Sequence, residues 1–446
     1  MFSCFKDKAF LKKFFQIALP VMLAEFITFL VSFIDNIMVG SVSNNAVSAV
    51  YSANQVTYVF NLAIFGLLEG AGIFIQQFSG KNDTESIRTC VTLKRIFTLV
   101  FMVIVLPICY FLGEKLIYVY CKSDTNQALI LEESVNYLHI VIISYIPFSI
   151  GYIYSTTLRE IGKTKYAMYA SMVAIILNTL CNAMFIYLFK LGSKGAAYGT
   201  IIARVVEMLF LIIIVRIKHF DFYKLASIKE CRTLFKRILN KSYLFFINEL
   251  GFACGNMLQS LAFSQRDGVL SSISVLTTVS NIIIILIQGL AVGIGVMVGQ
   301  DLGTNDFKKA EEDNKKLTYL GFYLSILLSL LLIALSPVIP NMFKEIDSTQ
   351  KKLATELIIV FASLLVFYML ACCFYYTLKA GGRTVETLLL DTGFMLVVYV
   401  PVSWSLAIST NMNIIYIYLI VRSLDALKMI LGLILVKKKK WLVNLT

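Results

Sequence analysis

The most informative segments of this chain are FGLLEGAGIFIQQFSGKND, residues 65–83, and QGLAVGIGVMVGQDLGTND, residues 288–306. Seven residues recur between them, 223 positions apart: Gly66, Gly70, Gly72, Gln77, Gly80, Asn82 and Asp83 match Gly289, Gly293, Gly295, Gln300, Gly303, Asn305 and Asp306. Each segment ends a long apolar block with a polar break that contains glycine, as loops between helices do. The similarity indicates that the chain contains an internal repeat.

Two further motifs recur in the same order. Thr157, Leu158, Gly162 and Thr164 match Thr377, Leu378, Gly382 and Thr384 at an offset of 220 residues. Arg204-x-x-Glu207 matches Arg422-x-x-Asp425 at an offset of 218 residues. Three motifs at nearly one offset predict two halves of similar fold. The spacing of three residues also places the arginine and the acid on one helix face, where we expect them to pair.

The composition predicts an integral membrane protein. Of the 446 residues, 58% are hydrophobic and 15% are charged, and the mean hydropathy is +0.79. Soluble domains carry about 25% charged residues. The apolar residues lie in blocks of about 20–25, the length that crosses a hydrocarbon core of about 30 Å. Because backbone polar groups in lipid must bond within their own segment, each block is predicted to be a helix.

We predict twelve transmembrane helices, at 14–39, 48–78, 91–112, 134–158, 166–189, 195–217, 238–264, 271–299, 317–343, 353–378, 384–409 and 413–436. The longest polar segment, 218–236, is predicted to be a cytoplasmic linker between an N-terminal bundle (1–217) and a C-terminal bundle (237–446). Each half has six spans, so both insert the same way up, as parallel repeats about a pseudo-two-fold axis along the membrane normal. The fold class is therefore all-α, with two six-helix bundles around a central cavity.

The positive charge of the chain is explained by its orientation in the membrane. If the N-terminus is cytoplasmic, the cytoplasmic segments hold 29 lysines and arginines and the outer loops hold 8. This asymmetry predicts that both termini face the cytoplasm. The net charge of +13 therefore does not indicate a nucleic-acid partner. The basic run 437–440 is expected to meet anionic membrane lipid.

The sequence gives no support for an enzyme or a metal centre. Its nine cysteines are scattered, and neither of its two histidines lies in a ligand cluster. No His-Glu-x-x-His motif and no Gly-x-Ser-x-Gly motif in a suitable span is present. We expect no cofactor and no metal site.

Several short motifs together carry a family resemblance. They are Leu19-Pro20 followed by IDNIMVG at 34–40, GAAYGT at 195–200 with Arg204, VGQDLG at 298–303 and KAGGRT at 379–384. In combination they resemble the multidrug and toxic compound extrusion (MATE) transporters. The resemblance covers nearly the whole chain, and the segment 218–236 is its least diagnostic part.

The resemblance implies a cell-membrane antiporter for multidrug efflux. It implies a V-shaped pair of bundles that exports small amphipathic, often cationic compounds by alternating access, driven by inward Na⁺ or H⁺. It also implies a protein of the bacterial plasma membrane, which we expect to act as a monomer. Family cation sites involve an acidic residue in helix 1, here Asp35, and a glutamate in helix 7, here Glu249. The helix 5 position that is acidic in some members is Asn182, four residues after Asn178.

Ionisable groups inside the predicted spans are the candidate site residues. Each costs roughly 2.5–3.5 kcal/mol at mid-helix, so functional roles are expected for them. Glu249 lies mid-span and is the principal candidate for the coupling carboxylate, and Asp35 is the second. The further candidates for cation or substrate binding are Glu25, Glu69, Asp391, Asn178 and Asn182. Pro20 removes a backbone donor and is predicted to kink helix 1.

A flippase for a lipid-linked precursor is the alternative function. Such a protein would share the helical architecture, and a cavity lined with arginine and lysine would favour it. Few basic residues lie inside the predicted spans of this chain, which favours the antiporter. The choice between Na⁺ and H⁺ is left open at this point.

Overall fold

The chain folds as a set of long helices. The computed structural model describes residues 7–40, 44–121, 127–266, 269–343 and 347–446, and these residues contain no strand. The helices are α1 (Lys8–Gly40), α2 (Asn44–Gly80), α3 (Thr84–Cys121), α4 (Gln127–Glu160), α5 (Thr164–Leu188), α6 (Ser193–Ile217), α7 (Ile228–Ser264), α8 (Leu270–Gly303), α9 (Phe307–Leu335), α10 (Ser348–Ala380), α11 (Thr384–Ser409) and α12 (Ile414–Lys437). Within these ranges, nine helices are long and apolar enough to cross a membrane. The predicted all-α membrane fold of twelve helices is confirmed.

Several helices begin earlier than the hydropathy pattern predicts. α3 begins at Thr84 rather than 91, α7 at Ile228 rather than 238, and α9 at Phe307 rather than 317. Hydropathy marks the part of a helix that lies in hydrocarbon, whereas capping residues mark where its hydrogen bonding begins. The predicted starts at 91, 238 and 317 are therefore wrong for the helices, which continue into polar residues.

The first repeat motif builds the turns that precede α3 and α9. Asn82 and Asn305 adopt left-handed backbone conformations, with φ of 56° and 63°. Asparagine tolerates this region better than most residues. The Asp83 carboxylate then accepts a hydrogen bond from the backbone N–H of Ser86 at 3.0 Å, and Asp306 caps α9 in the same way at 3.1 Å. The recurring Asn-Asp pair is thus a turn followed by a helix cap.

The chain forms two compact units that divide it at other points than the predicted boundaries. One unit, the N-bundle, comprises Leu19–Phe246, and the other, the C-bundle, comprises the described residues of Met1–Ala18 and of Ile247–Thr446. The division falls within α1 and within α7. We call residues 7–18 arm 1 and residues 228–246 arm 7. Arm 1 belongs to the C-bundle and arm 7 to the N-bundle, so each unit contains the start of the other repeat's first helix.

Two repeat-related glycines make room for the arms. A Cβ on Gly293 of α8 would lie 2.7 Å from the ring of Phe14 in arm 1. A Cβ on Gly70 of α2 would meet the backbone and side chain of Ser242 in arm 7. The pairing of Gly70 with Gly293 in the repeat therefore has a structural cause, which is the close approach of an arm to each of these glycines.

An ion pair lies at the end of each arm. Asp7 of arm 1 lies 2.8 Å from Lys316 of α9, and Glu230 of arm 7 lies 3.5 Å from Arg88 of α3. The hydrogen bond from Lys316 is the main cause that holds the pKa of Asp7 below its ordinary value. Hydrogen bonds with Ser227, followed by the charge of Arg88, lower the pKa of Glu230. Asp7 and Glu230 are 223 residues apart, the offset of the first repeat motif.

Candidate functional site

The N-bundle contains a cavity of about 420 Å³. α1, α2, α4, α5 and α6 all contribute to its lining. The aromatic residues of the wall are Tyr58, Tyr137, Tyr145 and Phe148. The Tyr145 ring stacks on Phe60 at 4.1 Å between centroids, and its hydroxyl is hydrogen-bonded to Thr57 at 2.8 Å. The polar residues that carry the site's chemistry are Asp35, Asn178, Asn182, Thr200, Arg204 and Glu207.

Asp35 of α1 is held by two amides of α5. Asn182 Nδ2 donates to Asp35 Oδ1 at 3.0 Å. Asn178, with its amide oriented to satisfy both of its groups, donates to Asp35 Oδ2 at 2.8 Å and accepts from the Thr200 backbone N–H at 3.3 Å. The spacing of four residues on α5 places both amides on one helix face. The structure thus brings together three of the predicted site residues.

The surroundings of Asp35 leave its negative charge uncompensated. No lysine or arginine in the part of the chain that the structure describes pairs with this carboxylate. Asn182 is 2% exposed, and its Oδ1 is buried without a hydrogen-bond partner among the described atoms. A half-buried carboxylate with a free acceptor oxygen beside it has the composition of a site for a small cation.

The Arg204–Glu207 pair forms another part of the cavity lining. Arg204 Nη1 lies 2.7 Å from Glu207 Oε2, and Ser171 Oγ donates to Glu207 Oε1 at 3.2 Å. The guanidinium lies 4.9 Å from the centre of the Phe148 ring. The pair predicted from the repeat motif is present and neutralises itself, so among these charged lining residues Asp35 keeps a net negative charge.

Two predicted candidates of the N-bundle lie away from the cavity lining. Glu25 of α1 pairs with Arg159 of α4 at 3.3 Å, and its side chain is 36% exposed. Glu69 is half-buried on α2. Neither residue lines the cavity. Pro20 lies inside α1, which runs through it without a break, and the predicted kink stays a prediction.

The remaining predicted candidates belong to the C-bundle. Asp391 of α11 pairs with Lys428 of α12 at 2.8 Å. Glu249 is half-buried on α7, next to Asn248, and its predicted coupling role stays a prediction. The second repeated pair, Arg422 with Asp425, is present at 3.7 Å.

One buried ion pair was not predicted from the sequence. Lys94 of α3 is fully buried and lies 2.7 Å from Glu160 of α4. It also donates to Thr156 at 3.1 Å, and the absence of a Cβ at Gly72 leaves room for the Glu160 carboxylate. A lysine inside the predicted third span was the available signal, since such a residue needs a partner.

The comparisons with known proteins agree with this architecture. The MatE family model matches residues 20–184 and 245–405. The chain belongs to the MatE family. A similar protein is the "Probable multidrug resistance protein YpnP" of Bacillus subtilis (strain 168), 24% identical over 67% of this chain and 66% of its own length. Another is the human "Multidrug and toxin extrusion protein 1", 21% identical over 92% of this chain and 71% of its own length.

Solved MATE structures share the fold. "Crystal structure of MATE in complex with MaL6" superposes with a TM-score of 0.87 at 18% identity, over 96% of each chain. "Outward-facing conformation of a multidrug resistance MATE family transporter of the MOP superfamily" gives 0.87 at 18% identity, over 96% of this chain and 95% of that one. The MATE resemblance read from the sequence is confirmed, and the chain is a multi-pass membrane transporter rather than an enzyme. The comparisons do not favour the flippase alternative.

Proposed function

We propose that this MatE member is an antiporter that exports small amphipathic, often cationic compounds in exchange for Na⁺ or H⁺, with Asp35 as the coupling carboxylate. The observation that carries the proposal is the environment of Asp35. It lines the N-bundle cavity between two amides, and no described basic residue neutralises it.

The chemistry of the cavity supports exchange of one cation for another. A carboxylate removed from water needs a positive partner, which can be Na⁺, a proton or a cationic substrate. Occupancy by the ion removes the charge that would hold a cationic substrate. Two ligands that compete for one charge can be exchanged across a membrane when the protein alternates between two states.

The size and the walls of the cavity suit a small organic molecule. Its volume of about 420 Å³ lies in the range of about 300–1,000 Å³ that is typical of ligand pockets. Aromatic rings such as those of Tyr58 and Phe148 offer apolar contact and can hold a cation over their faces. The names of YpnP and of the animal relatives, which refer to multidrug resistance and toxin extrusion, support the same substrate class.

The donor set at Asp35 is compatible with either coupling ion. Na⁺ would find oxygen ligands in Asp35, in Asn182 Oδ1 and, after rotation of its amide, in Asn178. A proton needs the carboxylate alone. We place the transporter in the plasma membrane of a bacterium with both termini cytoplasmic, in line with the lysine and arginine distribution and with bacterial relatives such as YpnP.

The test is efflux of a fluorescent organic cation from proteoliposomes under an imposed Na⁺ or pH gradient. We expect gradient-driven efflux in the wild type, loss in Asp35→Asn and wild-type rates in Asp221→Asn, which removes an exposed carboxylate of the predicted linker. Glu249→Gln tests the residue first predicted from the sequence. Loss in Glu249→Gln with retention in Asp35→Asn would move the coupling site to the C-bundle, and a wild type that ignores both gradients would refute antiport.

A further inference from the structure

Asp391 of the C-bundle has a cation beside it that belongs to the protein itself. Lys428 Nζ donates to Asp391 Oδ1 at 2.8 Å, and Asn248 Nδ2 donates to Asp391 Oδ2 at 3.3 Å. The side chains of Lys428 and Asp391 are 10% and 16% exposed. The arrangement differs from that of Asp35, where two amides hold the carboxylate and no described base pairs with it.

Asn248 is fixed in place by a second set of contacts. It is 1% exposed, and its Nδ2 also donates to the Tyr375 hydroxyl at 3.1 Å. The hydroxyl of Thr392, next to Asp391 in the sequence, donates to the Asn248 backbone carbonyl at 2.6 Å and lies 3.0 Å from Asn248 Oδ1. The amide therefore keeps its orientation toward Asp391, and Lys428 is the partner that supplies the positive charge.

The neighbouring charges on α12 are already paired and do not compete for Asp391. Arg422 lies 3.7 Å from Asp425, and Asp425 accepts a hydrogen bond from the Tyr399 hydroxyl. Asp425 is 2% exposed. These two acids and two bases form two neutral pairs, so Lys428 is matched to one carboxylate.

The repeat shows that the lysine pair is an addition in the C-bundle. Arg422 and Asp425 have counterparts in Arg204 and Glu207. At the same offsets, Ser171 stands where Asp391 does and Phe210 stands where Lys428 does. The aspartate and the lysine thus occur together in one half and are both missing from the other. Neither is needed to build a six-helix bundle of this kind.

We propose that Lys428 is a tethered counter-cation that occupies the cation position beside Asp391, so that this carboxylate is neutralised without an exchangeable ion. A lysine ammonium and Na⁺ each place one positive charge next to a carboxylate. The lysine ammonium is covalently attached to the chain, so it cannot dissociate and cross the membrane as Na⁺ can. Taken with the proposed function, this leaves Asp391 out of the cation exchange that we assign to Asp35.

Removal of the lysine charge is expected to create a cation site. A buried carboxylate that has lost its partner is costly, and the Asn248 amide alone does not neutralise it. Methionine ends one heavy atom short of the lysine Nζ, so Lys428→Met leaves the space of the ammonium open beside Asp391. Lys428→Arg keeps the charge and serves as the matched control.

The experiment counts radioactive Na⁺ bound to purified protein at mildly alkaline pH. We expect Lys428→Met to bind one Na⁺ more than the wild type, and Lys428→Arg and Lys428→Met/Asp391→Asn to bind the same number as the wild type. Lys428→Met/Asp35→Asn should bind one Na⁺, at Asp391, because Asp35 no longer carries a charge. An unchanged count in a folded Lys428→Met protein would overturn the proposal.

A second measurement covers a variant that is too unstable for a binding count. The unfolding temperature of Lys428→Met should rise with Na⁺ but not with choline, and the rise should vanish when Asp391→Asn is added, because a ligand stabilises the state that binds it. A Na⁺ response equal to that of the wild type would contradict the proposal. Ion counts for the wild type and for Asp35→Asn test the proposed function. The extra ion expected in Lys428→Met does not depend on whether Asp35 binds an ion, so the two proposals can fail separately.

Discussion

Asn182 donates a hydrogen bond to Asp35 across 3.0 Å, and its side-chain oxygen packs against Gly199 of the next helix. A Cβ at Gly199 would collide with that oxygen, so Gly199→Ala should push the amide away from Asp35. The same movement withdraws Asn182 Oδ1, which we propose as an oxygen ligand of Na⁺. If Na⁺ is the coupling ion, we expect its affinity to fall roughly tenfold or more, equivalent to about 1.4 kcal/mol or more, measured as the half-saturating ion concentration for efflux. If H⁺ is the coupling ion, the lost hydrogen bond no longer favours the ionised carboxylate, and proton affinity should rise instead. Gly151→Ala is the control, because its Cβ would meet Met208 at an ordinary 3.4 Å; equal effects in both variants would speak against the specific role.

The two arm-accepting glycines should differ in their tolerance of alanine. At Gly70 the added methyl meets the backbone of Ser242, whereas at Gly293 it meets the ring edge of Phe14. A ring can rotate and a helix backbone can move only as a whole. Overpacking costs about 1–3 kcal/mol, and we expect Gly70→Ala toward the upper end and Gly293→Ala toward the lower end. Thermal unfolding in detergent measures the difference, and a larger loss in Gly293→Ala would show that the arms dock differently.

The buried pair of Lys94 and Glu160 should be sensitive to the loss of one partner. Lys94 is fully buried, so Lys94→Met leaves the Glu160 carboxylate with an uncompensated charge in a site of low polarity. Removal of one member of a buried pair costs about 3–5 kcal/mol. The double variant Lys94→Met/Glu160→Gln should recover most of this loss, because both charges disappear together. A double-mutant cycle on unfolding temperatures tests the coupling, and strictly additive losses would rule out a direct interaction.

The stability contributed by Asp7 should depend on pH. The hydrogen bond from Lys316 lowers the pKa of Asp7 from its ordinary 3.8. A carboxyl group whose pKa is lowered by folding stabilises the protein above its ordinary pKa, and this stabilisation is lost as the pH falls through the lowered value. Wild type should therefore unfold at a higher temperature than Asp7→Asn at neutral pH, and the gap should close in strong acid.

Glu230→Gln should show the same pH dependence as Asp7→Asn, because Glu230 occupies the matching position in arm 7 and its pKa is also lowered. A gap between wild type and Asp7→Asn that persists in acid would mean that asparagine harms arm 1 for a reason other than charge.

The sequence was sufficient to predict the fold class and one group of residues in the candidate site. The length of the apolar blocks predicts the membrane-spanning helices, and the repeated Asn-Asp motif predicts the two halves. Helix formation in lipid and the Asn-Asp turn each depend on residues that are close in sequence, so the sequence is enough to predict them. Asp35, Asn178 and Asn182 could be grouped through the family resemblance, and the structure places them within hydrogen-bond distance.

The choice of partners could not be predicted in the same way. Lys428 and Asp391 were both recognised as charges inside spans, yet nothing in their spacing shows that α12 turns the lysine toward α11. Pairing between helices depends on the rotation of each helix about its axis, which is set by packing across the whole bundle. The start of α7 was missed for a related reason, since the polar residues of arm 7 carry no hydropathy signal and gain their place by docking on Gly70.

The exchange of arm 1 and arm 7 has a consequence for how such a chain could arise. A protein made of a single six-helix repeat would have an unfilled space at the glycine equivalent to Gly70 and Gly293, and an arm with no space to fill. Two copies would satisfy each other by swapping arms, which is a low-cost route to a symmetric dimer. Fusion of the two genes would then have preserved, within one polypeptide, a contact that began as recognition between separate molecules.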